Sequence, residues 1–155
     1  MNPIFRTATA ADKAALMDLM PRLADFDVPA HRNPKDLWRG DADMLAAHLA
    51  GTRDDCFCRL ATDSNGQLLG FILVSLCEEL LSHEPSAHVE ALAVTRDAQG
   101  RGIGRQLLED AERCAQERGA LSMSLHVFGN NTRARGLYAR QGYDEELIRC
   151  SKPLE

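Results

Sequence analysis

Residues 99–104 read Gln99-Gly100-Arg101-Gly102-Ile103-Gly104, between an apolar stretch over 89–94 and a long helical pattern over 105–118. A strand that feeds a glycine turn opening a helix builds an anion site, because unpaired amides and the positive end of the helix dipole converge there. Gly102 and Gly104 carry no side chain where a pyrophosphate must approach the backbone, and Arg101 and Arg105 add positive charge beside it. The turn therefore reads as a phosphate cradle. Taken alone it is also what any tight strand-to-helix turn needs.

Two familiar phosphate motifs are excluded by spacing. No lysine followed by Ser or Thr comes after these glycines, so this is not the nucleotide-binding loop GxxxxGK[ST]. The dinucleotide spacing GxGxxG also fails, because Gly104 follows Gly102 by two residues rather than three. What fits is Q/R-x-x-G-x-G/A. The segment resembles the acyl-CoA-binding signature of the GNAT superfamily of N-acetyltransferases, and the likeness continues on both sides. Upstream, Glu90-Ala91-Leu92-Ala93-Val94 is similar to that family's central strand. Downstream, Asn131-Thr132-Arg133-Ala134-Arg135-Gly136-Leu137-Tyr138 and Gln141-Gly142-Tyr143 resemble its N-x-x-A-x-x-L-Y…G-F/Y segment. The likeness is close over residues 87–143 and extends to 1–86 only as a coarse order of elements.

Composition agrees with one N-acetyltransferase domain over 1–155: the chain has 155 residues, 45 % of them hydrophobic, enough for a substantial core. No apolar run approaches the roughly 20 residues that span a bilayer, and the N-terminus lacks a signal-peptide core. A soluble, cytoplasmic protein is the expectation, with no membrane partner. The five cysteines, Cys56, Cys58, Cys77, Cys114 and Cys150, contain no CxxC pair and are expected to be reduced and buried. Charge is uneven: residues 1–94 hold 8 basic against 14 acidic residues, and 95–155 hold 10 against 9. Such a balance leaves no basic footprint for nucleic acid, and the acidic half favours a cationic partner or merely solubilises the surface.

The pattern predicts strands over 4–8, 56–62, 67–77, 87–94, 121–127 and 143–151. Helices are predicted from a Thr9/Asp12 capping box to Pro21, then over 41–49, 105–118 and 132–141. Residues 63–66 supply a hairpin turn; 25–40 and 78–86 read as loops. This order matches the α/β (α+β) GNAT fold, a mixed, mostly antiparallel sheet flanked by helices. The resemblance implies that the central strands at 87–94 and 121–127 splay apart and admit the pantetheine arm of acetyl-CoA.

Moving an acetyl group from a thioester to an amine needs a neutral amine, stabilisation of an oxyanion and a proton for the thiolate. An alkylamine with a pKa of about 10.4 is almost wholly protonated at neutral pH, so a base must act. In a regular strand His88, Glu90, Leu92 and Val94 share one face. The resemblance favours a strand carboxylate, usually acting through water, which points to Glu90; His88, with a reference pKa of about 6.5, is the substitute or partner. The bland alternative is a polar pair near a strand end. By resemblance, Tyr138 protonates the leaving thiolate, the Leu92 amide meets the oxyanion, and Leu92, Ala93 and Val94 line the acyl end. Asn131 is expected to cap the following helix, and the resemblance implies that it also touches the pantetheine arm. Gln99, Gly100, Arg101, Gly102, Ile103, Gly104 and Arg105 complete the expected cofactor contacts. Arg96, Arg133 and Arg135 are within reach of phosphates or simply solvated.

Metal binding is not expected, since His83-Glu84-Pro85-Ser86-Ala87-His88 misses the HExxH spacing and Pro85 breaks the required helix. Glu78, Glu79, His83 and Glu84 on one loop, and Asp25, Asp27, His31 and Trp38 on another, are expected near the acceptor entrance. The expected activity is direct acetyl transfer in a ternary complex, with no cysteine on the central strand to carry a covalent intermediate. The alternative is an acyl-CoA-binding sensor or partner module without turnover. The acceptor, a small-molecule or peptide amine, has no signature; homodimers are frequent among proteins this chain resembles.

Overall fold

The computed structural model describes residues 2–154. Five strands form one mixed sheet in the order β1 (Ile4–Thr7), β2 (Cys56–Thr62), β3 (Leu68–Glu78), β4 (Pro85–Val94) and β5 (Met123–Leu125). All neighbours are antiparallel except β4 and β5, which are parallel. Four α-helices flank the sheet: α1 (Lys13–Leu19), α2 (Arg39–Leu49), α3 (Ile103–Glu117) and α4 (Thr132–Arg140). The capping box forms, with the Thr9 amide donating to Asp12 at 2.8 Å, although its first turn is 3-10. Pro21 opens a second 3-10 segment, Met20–Ala24, directly after α1. In the β2–β3 turn the Asp63 carboxylate accepts from the amides of Asn65 and Gln67, both at 2.9 Å.

β2 and β3 are buried on both faces, as strands sandwiched by helices must be. On one face α3 packs Leu107, Leu108 and Ala111 against Phe57, Ile72, Val74, Ala87 and Val89. On the other, Leu16, Met20 and Leu45 of the N-terminal helices meet Cys58, Leu60, Phe71, Leu73, Ala91 and Ala93. β4 contributes Ala87 and Val89 to the first face but Ala91 and Ala93 to the second, so its alternation inverts between them.

The inversion has a local cause. Val74 pairs with Val89 and Leu73 with Ala91, which leaves Glu90 as an extra residue in the ladder, a β-bulge. The expectation that His88, Glu90, Leu92 and Val94 share one face is corrected accordingly. Leu92 and Val94 pack towards α3, whereas Glu90 interacts with Asp41 of α2 on the opposite side.

Three further expectations change. The strand expected over 121–127 pairs only over Met123–Leu125, because the chain leaves β4 after Val89↔Leu125. No strand forms over 143–151. Tyr143 turns inwards, its hydroxyl donating to Glu112 at 2.6 Å, and residues 144–154 lie exposed, their acidic start drawn to Arg135. The five cysteines are free, but Cys77 and Cys150 are exposed rather than buried.

Candidate active site

Loss of pairing beyond Val89↔Leu125 opens a gap between β4 and β5, and two cavities share it. The larger, about 440 Å³, runs from Leu92, Ala93 and Val94 past the glycine turn to α4. Gly100 and Gly102 both adopt φ 77°, and Gly102 is the N-terminal cap of α3 without a capping side chain. The first-turn amides of α3 thus have no side-chain acceptor, the condition for an anion site. Arg105, Arg133 and Arg140 line the same cleft. Arg133 also donates to Gln99 at 3.0 Å, tying α4 to the turn. Of the residues expected to contact the cofactor, Leu92, Ala93, Val94, Gln99, Gly100, Gly102, Ile103, Gly104, Arg105, Asn131 and Tyr138 line this cleft. Arg101 is exposed and does not line it.

The smaller cavity, about 170 Å³, lies on the α2 side of β4. Its wall holds Glu90, Asp41, His126, Phe26 and Phe128. Leu92, Asn131, Ala134, Tyr138 and Arg22 line both cavities, so the two meet at Leu92 and Tyr138. Asn131 accepts from the Ala134 amide at 3.3 Å and caps α4, which fixes Tyr138 two turns later. Burial pushes the Tyr138 phenol up to about 12, so it keeps its proton near neutrality. Glu90 accepts from the Ser75 hydroxyl at 2.7 Å. Burial, reinforced by the charge of Glu90, pushes the Asp41 carboxyl up to about 7.

His88 stands back from both cavities. Its Nδ1 lies 2.8 Å from the Ser124 hydroxyl, and its ring meets His126 edge-on at 4.7 Å between centroids. Burial lowers its pKa despite the opposing pull of Glu90. Backbone amides follow the bulge as well. Ala87 donates to Ser122 on the β5 side, and Thr95 donates to Leu69 on the β3 side. Counting back from Thr95 in regular alternation turns the Leu92 amide into the gap.

Sequence reasoning assigned no role to Asp41, Arg22, His126, Phe26 or Phe128. Asp41 looked like the start of a helix, and nothing local places it opposite residue 90. The excess acid of residues 1–94 was the sole signal. Of the loop residues expected at the acceptor entrance, Asp25 lines the larger cleft instead, while Asp27, His31, Trp38, Glu78, Glu79, His83 and Glu84 line neither cavity. Among the described residues no cluster of three metal-ligating side chains occurs, and no helix is long and apolar enough to cross a membrane.

The splayed strand pair, the glycine turn at the start of α3 and the two joined cavities make one continuous site along β4. The profile described as the Acetyltransferase (GNAT) family matches residues 18–143, and the chain belongs to that family. It is similar to the uncharacterized N-acetyltransferase YhfO of Bacillus subtilis (strain 168), 28 % identical over 141 residues, covering 91 % of this chain and 89 % of that protein. A mycothiol acetyltransferase of Propionibacterium freudenreichii is 33 % identical over 84 residues, 54 % of this chain but only 26 % of that longer protein. The structure of AAC(6')-Iy in complex with a bisubstrate analogue superimposes with a TM-score of 0.73 over 99 % of this chain and 100 % of that one; at 19 % identity this shows the fold alone.

Proposed function

We propose that the chain transfers an acetyl group from acetyl-CoA directly to a primary amine, with Glu90 as base and Tyr138 as acid. The observation that carries this reading is the meeting of two unlike cavities at Leu92 and Tyr138: one holds the glycine turn with Arg105, Arg133 and Arg140, the other Glu90 and Asp41, with Arg22 lining both. The arginine-lined cleft fits the phosphates and pantetheine arm. In the second cavity Glu90, held by Ser75, receives the amine proton, directly or through water. The Leu92 amide stabilises negative charge on the carbonyl oxygen, and Tyr138 gives its proton to the departing sulfur. A thiol with a reference pKa of about 8.5 accepts a proton from a phenol only as it develops thiolate charge, so the step is coupled to bond breaking. His88 lies outside both cavities and does not touch the acceptor. An acceptor carrying positive charge suits the acidic cavity.

Thiol release from acetyl-CoA across a panel of amines tests this reading. Amine-dependent release is expected, falling about a hundredfold or more in kcat for Glu90→Gln and for Tyr138→Phe. Parallel-line kinetics with a trapped acetyl-enzyme would overturn direct transfer, and tight CoA binding without amine-dependent release would favour a sensor module.

A further inference from the structure

Asp41 is the carboxylate of the acceptor cavity that has no side-chain partner among the described residues. It stands in the first turn of α2, and Glu90 faces the same space from β4. Glu90 has Ser75; the Asp41 carboxylate has no hydrogen bond or ion pair among the described residues. Among the described residues lining the cavity Arg22 is the single Lys or Arg, and its guanidinium is engaged by the Val94 carbonyl at 3.2 Å and by Asp25. His126, the residue after β5, with His88 behind it, and Tyr138 on α4 complete the titratable wall. Two half-buried carboxylates thus share one cavity with no free cation among the described residues that line it.

We propose that Asp41 is the specificity-determining residue of the acceptor cavity, the counter-ion for a second ammonium group, so that the preferred acceptor is a short α,ω-diamine. This rests on the acceptor reading of that cavity. One nitrogen loses its proton to Glu90 and forms the C–N bond as the C–S bond breaks and the sulfur takes the Tyr138 proton. The other nitrogen stays protonated on Asp41 and is not acetylated. An ammonium between the carboxylates removes the repulsion that, with burial, raises the Asp41 pKa. Leu23, Phe26, Leu37 and Phe128 supply apolar walls for the methylenes, and about 170 Å³ admits a chain of a few carbons.

Calorimetric titration of the protein–CoA complex with propylamine and with diamines of two to five methylenes tests the assignment at pH 8. The best diamine is expected to bind about tenfold or more tighter than propylamine. Asp41→Asn should bring that ratio close to one, and Asp41→Glu should keep a preference but shift it to a different chain length. CoA binding by each variant checks that it is folded. No diamine preference in the wild type, or a preference that survives in Asp41→Asn, overturns the proposal. The thiol-release assay on the same amines separates the two readings. Diamine-selective binding without transfer sinks the transferase and keeps Asp41 as the counter-ion, while transfer without selectivity does the reverse.

Discussion

Glu90 and Asp41 face one cavity from different elements, and their coupling makes a prediction about the empty protein. Folding raises the Asp41 pKa from 3.8 to about 7, so between those values the native state binds more protons than the unfolded chain. Stability then falls as pH rises through that window, and the full penalty is present above pH 7. Asp41→Asn should therefore match the wild type in Tm near pH 4 and exceed it at pH 8 in thermal denaturation without ligand; an equal shift at both pH values would refute the penalty assigned to burial of the Asp41 charge beside Glu90. Glu90 and Tyr138 were legible as candidate site residues because a motif surrounds each, and both line the cavity. Asp41 was not, since proximity across the sheet leaves no trace in neighbouring sequence.

At the scale of the element, β4 decides the geometry. Its residues alternate smoothly in the sequence, and nothing in Ala87-His88-Val89-Glu90-Ala91 announces a bulge. The bulge follows from pairing with β3, where Leu73 and Val74 meet Ala91 and Val89, and it sends Glu90 to one side and Leu92 to the other. Close packing at the same pair of strands explains Gly70, whose missing Cβ would lie 2.8 Å from the Ala93 carbonyl oxygen and 3.1 Å from Leu107 Cδ1. Backbone on one side and a buried leucine on the other cannot both yield, so Gly70→Ala should cost about 1–3 kcal/mol in urea denaturation. Because Ala93 lines the larger cleft, the proposed CoA site, the same variant should weaken CoA binding. Gly102 is constrained differently: at φ 77° any L side chain is strained, so Gly102→Ala should lose CoA affinity with a smaller stability cost, on the order of 1 kcal/mol.

Across the whole molecule, the sheet separates a basic cleft from an acidic cavity and leaves one junction where they communicate. α3 is anchored to the sheet by a tie from β2: Arg59 and Asp110 are 2.7 Å apart, with Asp110 4 % exposed. Arg113 reaches the other Asp110 oxygen. Removing the carboxylate strands Arg59 in a half-buried position, so Asp110→Ala should cost about 3–5 kcal/mol in denaturant unfolding. Hydrophobic periodicity, capping signals and the three motifs were enough, by themselves, to determine the order of elements through 140, the hairpin, the glycine cradle and the family likeness, because each rests on interactions a few residues apart. The failures were long-range. The expected strand over 143–151 has good formers in Leu147 and Ile148, yet a strand exists only where a neighbour accepts its hydrogen bonds, and Tyr143 is instead drawn to Tyr138 and Glu112. The same holds for the site. Spacing specified the glycine turn and the motif residues that line the larger cleft, while the bulge at Glu90, the parting of β4 from β5 and the approach of α2 decided which groups surround the smaller one, since only packing brings residues 41, 90 and 126 to one cavity.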